Sequence, residues 1–162
     1  MATEIPTFGT VYNTPGVELL PHRPPFLFVD TLLSADETGA AAEYTFTEEK
    51  NDFFKGHFPQ CPIVPGVVLV EAMAQVAGAA VVARGVLGDQ VAFAIAAIEG
   101  VRIRQPFRPG DRLVTVAEIV RERVPLGTYR FKGYLNGEPG AKGEPAVECT
   151  VKCMMGSKVM GL

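Results

Sequence analysis

The feature that most constrains the fold is an alanine-rich stretch at residues 67–84, in which Gly78 is the only turn-forming residue. Strands average about five or six residues, so a stretch of this length predicts a helix. Pro65 suits a first helical turn, where its missing N–H costs nothing. Arg84 and Gly85 supply the cation and the glycine that are typical of a helix end.

This helix is apolar on nearly every face, which is typical of a helix buried in a core or in a membrane. Only Glu71 and Gln75 are polar within residues 67–83. The carboxyl group, and the predominance of alanine over leucine or isoleucine, argue against a membrane span. We therefore expect a core helix in a protein that does not cross a membrane.

Apolar and alternating runs on both sides of the helix predict strands. The predicted strands cover residues 26–33, 40–47, 91–98, 101–107, 113–121, 129–135 and 146–154. One helix followed by consecutive strands predicts an α+β architecture, with a meandering antiparallel sheet packed on the helix. A chain of 162 residues suits one domain. We expect this domain at residues 17–162, after an irregular arm at residues 1–16.

Composition argues against several other classes of protein. The three cysteines are sparse and odd in number, which favours a reducing cytoplasm over a disulfide scaffold. The first residues show no secretory-signal pattern, which also favours the cytoplasm. Only two histidines, His22 and His57, accompany the cysteines, so no structural zinc site is expected. The chain is acidic, with a net charge of −3 and no nucleic-acid motif, so no nucleic-acid partner is expected.

Charge is distributed unevenly along the chain. Residues 99–132 carry eight Lys and Arg against four Asp and Glu, whereas residues 1–98 carry four against eleven. Such a segment could steer an acidic partner toward the protein. It could equally form the solvated faces of strands, and the charge pattern leaves both interpretations open.

Glu71 and Gln75 are four residues apart and therefore share one face of the predicted helix. A carboxylate among apolar residues is costly unless it is hydrogen-bonded or protonated. It could therefore act as a proton donor, or the pair could be satisfied across a subunit interface. The residues alone favour neither alternative.

The loop before the helix contains two further candidates. His57 lies between Gly56 and Phe58, and could be structural or could transfer protons near neutral pH. Gly66, after Pro65, would open the helix, where the first N–H groups lack internal partners. Its N–H could hold a carbonyl oxygen as negative charge develops on it. A base, an acid and an oxyanion donor together are what an α,β-elimination beside a carbonyl requires.

These elements occur in an ordered series of motifs. The series resembles that of the FabZ-type β-hydroxyacyl-acyl-carrier-protein dehydratases from about residue 17 to residue 155. The motifs are residues 20–30, Gly56-His57-Phe58-Pro59, residues 62–67, residues 71–75, Pro106 and Pro109-Gly110-Asp111. The resemblance implies a hot-dog fold, a long helix wrapped by an antiparallel sheet. It also implies a homodimer, often assembled into a hexamer, with active sites at the subunit interface.

The resemblance also implies roles for particular residues. His57 of one subunit would act as base, and Glu71 of the other as acid. The Gly66 N–H would bind the thioester carbonyl, and Gln75 would orient Glu71. The product would be a trans-2-enoyl thioester, and no metal or organic cofactor is implied.

Further residues are assigned to substrate and partner contacts. Phe58, Pro65 and Phe93 are expected at the substrate site. The acidic acyl carrier protein would dock on the arginine-rich segment, with Arg102, Arg104 and Arg108 as candidates. His22 is expected to be structural. Cys61 and the long loop at residues 136–145 depart from the family pattern, and the sequence assigns them no role.

Three alternatives of the same fold remain. Dehydratase–isomerases carry aspartate where Glu71 stands, so the glutamate argues against them. Acyl thioesterases do not usually show this His–Glu arrangement. A non-catalytic acyl-binding subunit would have no reason to keep both His57 and Glu71.

Overall fold

The computed structural model describes residues 4–87 and 92–156, which form a seven-stranded sheet and a central helix. The elements are β1 (Thr10–Pro15), α1 (Gly16–Leu19), β2 (Thr31–Ala35), β3 (Gly39–Thr45), α2 (Gly66–Ala83), β4 (Phe93–Ile103), β5 (Arg112–Arg123), β6 (Leu126–Leu135) and β7 (Val147–Met155). Every strand pairing is antiparallel, in the order β1-β2-β3-β5-β6-β7-β4. Helix α2 packs against strands β2 to β7. The predicted α+β class is confirmed.

Helix α2 begins and ends close to the predicted residues. The Pro65 carbonyl accepts the N–H groups of Val68 and Leu69 at the start, and Gly85 has a φ of +72° just after the end. Gly78 permits close packing in the middle, because a Cβ there would lie 3.1 Å from Phe93. The helix is long and apolar enough to cross a membrane, but 67% of it is buried inside the molecule, as expected of a core helix.

The strand predicted at residues 26–33 is wrong over its first half. Strand β2 covers only Thr31–Ala35. The backbone of Phe26 and Phe28 instead hydrogen-bonds to the side chain of Gln75 on α2. Since that side chain supplies both a donor and an acceptor, it satisfies backbone groups that would otherwise need a neighbouring strand.

The two strands predicted at residues 91–98 and 101–107 are a single strand over the described residues, β4, and the separation between them is wrong. Gly100, which lies between them, adopts a φ of +62° within a bulge and does not form a turn. The predicted meander is also wrong for β4, which pairs with β7 at the edge of the sheet. Among the described strands after α2, only β5, β6 and β7 follow one another in space as they do in sequence.

The arm at residues 1–16 is not irregular throughout. Thr10–Pro15 form β1, which pairs with β2 around a bulge where Asn13 has a φ of +46°. Strand β2 is thereby covered on its outer side. The boundary at residue 17 remains a prediction.

Candidate active site

Glu71 lies on the second turn of α2, with its side chain 21% exposed in a region where the neighbouring helical residues are buried. It lines a small cavity of about 30 Å³ together with His22, Gln75, Phe93 and Cys153. The next three helical residues, Ala72 to Ala74, are buried. The side chain of Glu71 is therefore a partly exposed acid on a helix whose neighbouring residues lie in the core.

Gln75 fixes the position of that carboxyl group. Its Nε2 donates to Oε1 of Glu71 at 3.0 Å and to the carbonyl of Phe26 at 3.0 Å. Its Oε1 accepts the N–H of Phe28 at 2.7 Å. Gln75 is 3% exposed, and all its hydrogen-bonding groups are used. The segment at residues 26–28 thus sets the orientation of Gln75, and through it that of Glu71.

His22 also lies beside Glu71, which the sequence did not predict. Its Nε2 is 3.8 Å from Oε1 of Glu71, and its side chain is 17% exposed. Burial lowers the pKa of His22, and the nearby Glu71 opposes that effect. The sequence contains only a weak indication that His22 belongs to this site: it is one of two histidines and lies in a proline-rich segment.

His57 occupies a tight loop between a short 3₁₀ turn, Asp52–Lys55, and α2. Its ring nitrogen Nδ1 lies 3.0 Å from the Ile63 carbonyl oxygen. Because a carbonyl only accepts, Nδ1 carries the hydrogen and Nε2 carries a lone pair. Phe58 stacks on the imidazole at 4.3 Å between ring centroids and is 53% exposed. Backbone hydrogen bonds between Phe58 and Cys61 close the turn that follows, so Cys61 shapes this loop through its backbone.

Gly66 is the first residue of α2, with Pro65 as its N-cap. No acceptor for the Gly66 N–H occurs among residues 4–87 and 92–156. A Cβ at this position would lie 2.5 Å from Cδ1 of Ile103, at the far end of β4. The absence of a side chain at Gly66 therefore lets Ile103 of the edge strand pack against the start of α2.

The predicted residues form two groups within one chain. Glu71, Gln75 and Phe93 line the cavity, whereas His57, Phe58, Pro65 and Gly66 belong to the loop and the helix start. No hydrogen bond or ion pair in the described part of the chain joins His57 to Glu71. Strand β4 touches both groups, because Phe93 at its start lines the cavity and Ile103 at its end reaches Gly66.

The three arginine candidates differ in their surroundings. Arg104 pairs with Glu148 at 3.1 Å and with Glu144 at 3.6 Å, and so ties the loop at residues 136–145 to the end of β4. Arg102 and Arg108 are exposed and form no ion pair among the residues described. Their charges are therefore available to a partner, whereas that of Arg104 is already engaged.

A larger groove of about 330 Å³ lies on the other side of Cys153, lined by Arg121, Arg123 and Lys152. It contains neither His57 nor Glu71. Its cations could attract an anion, and the carboxyl group and the histidines proposed for catalysis are not among its described lining residues.

Comparisons with known proteins identify the family of this chain. A family model described as the FabA-like domain matches residues 20–142. The 3-hydroxyacyl-(acyl-carrier-protein) dehydratase FabZ of Thermomicrobium roseum is 39% identical over 127 residues, which cover 78% of this chain and 85% of the relative. The protein of the same name from Bacillus subtilis is 38% identical over 121 residues, or 75% of this chain and 85% of the relative.

Solved structures share the fold at low sequence identity. The dehydratase heterocomplex ApeI:P from Xenorhabdus doucetiae superposes with a TM-score of 0.71 at 16% identity, over 90% of this chain and 93% of that one. The PaaI protein of E. coli superposes with a TM-score of 0.53 at 19% identity, over 76% and 80%. The predicted hot-dog fold is confirmed. The chain belongs to the FabA-like family and, within it, to the FabZ-type 3-hydroxyacyl-(acyl-carrier-protein) dehydratases, a family of lyases.

Proposed function

We propose that this protein dehydrates 3-hydroxyacyl chains carried on acyl carrier protein, giving trans-2-enoyl thioesters during fatty-acid elongation. The observation that carries the proposal is the carboxyl group of Glu71, held by the Gln75 amide in a small cavity otherwise lined mainly by apolar side chains. Such a group can deliver a proton to a departing hydroxyl without competition from bulk water. The names of the FabZ relatives give the substrate class.

His57 is the base in this proposal. Since Nδ1–H donates to Ile63, the lone pair on Nε2 is the atom that accepts a proton from the α-carbon of the substrate. Electrons from that C–H bond form the double bond, and the β-hydroxyl leaves. Glu71 supplies the proton that turns the leaving hydroxide into water. Gln75 keeps the acid in place throughout.

The thioester carbonyl gains negative charge as the α-proton leaves. The open N–H of Gly66, at the positive end of the α2 dipole, stabilises that charge. Phe58 and Pro65 flank the base, and Phe93 borders the acid. The acyl chain would lie among these side chains.

The two groups of residues meet in a dimer. Strand β4 has no partner on its outer side within the described sheet, and it exposes Ile98, Val101 and Ile103. An apolar strand edge of this kind pairs with another strand. We propose that the partner is β4 of a second copy, in the antiparallel arrangement that two-fold symmetry gives.

This arrangement makes the site a shared one. Full antiparallel overlap sets Phe93 of one β4 opposite Ile103 of the other. Phe93 borders the Glu71 cavity, and Ile103 reaches Gly66 and so the end of the His57 loop. Pairing therefore brings the acid of one copy toward the base and the oxyanion donor of the other. Three such dimers could assemble further into a hexamer.

Exposed arginines support acyl carrier protein as the partner, and free cysteines support a cytoplasmic location. Arg102 and Arg108 offer free positive charge to an acidic carrier protein. The three cysteines are free thiols, which suits a reducing cytoplasm.

The proposal is tested by incubating the protein with 3-hydroxyacyl-acyl-carrier-protein of several chain lengths. Enoyl formation is followed as a mass loss of about 18 Da, the water eliminated. Release of free thiol would instead indicate a thioesterase, and a shifted double bond would indicate an isomerase. No turnover on either carrier-protein or coenzyme A substrates would indicate a non-catalytic subunit.

The shared site is tested with His57→Ala and Glu71→Ala, each of which should abolish turnover without dissociating the protein. Mixing equal amounts should restore roughly a quarter of the activity, because half of the randomly formed dimers regain one of their two sites. Absence of recovery in demonstrably mixed dimers would contradict a shared site.

A further inference from the structure

Among the described residues, the hydrogen bond that the Glu71 carboxyl group accepts goes to one oxygen, Oε1. Oε1 accepts the Gln75 amide at 3.0 Å and faces Nε2 of His22 at 3.8 Å. No hydrogen bond to Oε2 occurs among the described residues, and the carboxyl oxygen nearest to His22 is Oε1. The two carboxyl oxygens therefore differ: Oε1 accepts the Gln75 amide, whereas Oε2 accepts no hydrogen bond from the described residues.

The surroundings of His22 define its tautomer. Its Nδ1 is buried and has no hydrogen-bond partner within residues 4–87 and 92–156. A hydrogen on Nδ1 would be an unpaired buried donor, which is rarer and costlier than an unpaired acceptor. The hydrogen of the neutral ring therefore lies on Nε2, directed toward Glu71.

The same surroundings keep the ring neutral. Protonation would place a hydrogen on the buried Nδ1 as well, and burial lowers the pKa of His22 despite the opposing effect of Glu71. The other titratable group in the cavity is Cys153, whose pKa burial raises to about 12, so that it is a neutral thiol. Nothing else that titrates lines this cavity among the described residues.

We propose that His22 is a positioning residue for the acid step: as a neutral Nε2–H imidazole it joins Gln75 at Oε1 of Glu71 and leaves Oε2 to carry the proton delivered to the substrate. The proposal rests on the dehydratase function proposed above. A cationic His22 would pair with an ionised Glu71 and remove the acid. A neutral Nε2–H, at 3.8 Å from Oε1 and thus short of a direct hydrogen bond, instead turns the positive end of its dipole toward that oxygen and favours the carboxylate that remains after the proton has left.

The tautomer can be tested directly, because the chain has only two histidines. Protein labelled with ¹⁵N-histidine should give two ring systems by NMR, and His57→Ala should leave only that of His22. The expected result is a neutral Nε2–H ring with a titration midpoint below 6.5. An Nδ1–H tautomer, or a midpoint above 6.5, would overturn the proposal.

Two variants separate positioning from packing. His22→Leu fills a similar volume without a donor, whereas His22→Gln keeps an N–H that can reach Oε1. We expect His22→Leu to lower kcat about tenfold or more with KM changed less than about threefold, and His22→Gln to stay within about threefold of wild type. Wild-type kcat in His22→Leu, or equal losses in both variants, would contradict the role.

Failure of the dehydratase proposal is distinguishable from failure of this one. If the wild-type protein has no dehydratase activity, the proposed function is wrong, whatever the tautomer of His22. An active wild type with an inactive Glu71→Ala would leave the function intact while the His22 variants decide the positioning role. If His22→Leu does not fold, judged by circular dichroism, the NMR measurement on the unaltered ring still decides.

Discussion

Gln75 and Glu71 lie one helical turn apart and are joined by a hydrogen bond of 3.0 Å from amide to carboxyl. The same amide is fixed by the backbone of Phe26 and Phe28. The acid of the candidate site therefore depends on a segment more than forty residues earlier in the chain, and its position is set by tertiary structure.

Replacing Gln75 should consequently impair both catalysis and folding. Gln75→Met has a similar length but leaves two backbone groups without partners, at about 1–3 kcal/mol for each buried group, and removes the amide from Oε1 of Glu71. We expect a lower kcat and a free energy of unfolding reduced by at least that amount, measured by steady-state kinetics and urea titration. Met73→Leu, a volume-conserving change on the same buried helix, serves as the control and should cost less than about 1.5 kcal/mol. Equal effects of the two would contradict a special role for the amide.

The dimer edge can be tested with two positions of equal exposure. Ile98 on β4 and Val120 on β5 are each 48% exposed in the single chain. Ile98→Lys should dissociate the protein and abolish turnover, because a charge would be buried between paired edges. Val120→Lys should do neither. Sedimentation velocity and activity measure both outcomes, and an intact dimer in Ile98→Lys would refute pairing through β4.

The arginine hypothesis predicts an effect that depends on salt. Arg102→Glu and Arg108→Glu should raise KM for carrier-protein substrates more at low than at high ionic strength, while KM for coenzyme A substrates changes little. Arg130→Glu, which alters an exposed pair with Glu118, is the control. Losses that are the same at both ionic strengths would count against steering. Arg104→Glu should act differently, since it also releases the loop at residues 136–145.

Stability should depend on a largely buried ion pair beyond the end of α2. Arg84 and Glu122 lie 2.7 Å apart with side chains 12% and 14% exposed, and Tyr129 donates to the same carboxylate. Burial and Glu122 together raise the pKa of Tyr129. Arg84→Met should cost about 3–5 kcal/mol in free energy of unfolding, because it leaves a buried charge unpaired.

The double variant Arg84→Met with Glu122→Gln should recover part of that loss, since it removes the second charge as well. Breaking the exposed pair with Arg130→Met should cost less than about 1 kcal/mol. Urea unfolding of the four proteins gives the comparison. A cost at Arg84 no larger than at Arg130 would contradict the importance of burial.

The cysteines should differ in reactivity. Burial raises the pKa of Cys149 and of Cys153 to about 12, so at pH 8 only about one in ten thousand of each is the reactive thiolate. Cys61 is exposed. We expect Ellman's reagent to modify one thiol in the native protein and three in denaturant, and none rapidly in native Cys61→Ser. Reactivity of the buried pair should rise with pH, and rapid modification at pH 8 would contradict their burial.

Local sequence predicted the helix and most strands because their signals are local. Residues 67–84 lack turn formers, and Pro65 and Gly85 mark the limits that the structure confirms within a residue or two. The strand predicted over residues 26–30 is wrong because the backbone of this segment hydrogen-bonds to Gln75, which lies far along the chain. The predicted separation of residues 91–98 from residues 101–107 is wrong because the chain passes Gly100 as a bulge within one strand.

The sequence predicts which residues belong to the candidate site, but not how they lie relative to one another. Glu71 and Gln75 are visible as the polar pair of an apolar helix, His57 and Gly66 are candidates in the loop before it, and the resemblance assigns them roles. The proximity of His22 to Glu71 depends on how residues 20–30 cross α2, which no periodicity encodes. The edge position of β4 likewise depends on its pairing with β7, about fifty residues later.

The exposed outer edge of β4 links the solubility of this protein to its proposed catalytic activity. A strand that exposes isoleucine and valine along an unpaired edge invites unwanted association with other unpaired strands until a second copy covers it. In the proposed dimer, the pairing of the two β4 strands that covers this edge also brings the acid, the base and the oxyanion donor together. If the proposed dimer is correct, a single copy would therefore be inactive and would keep an aggregation-prone strand edge exposed.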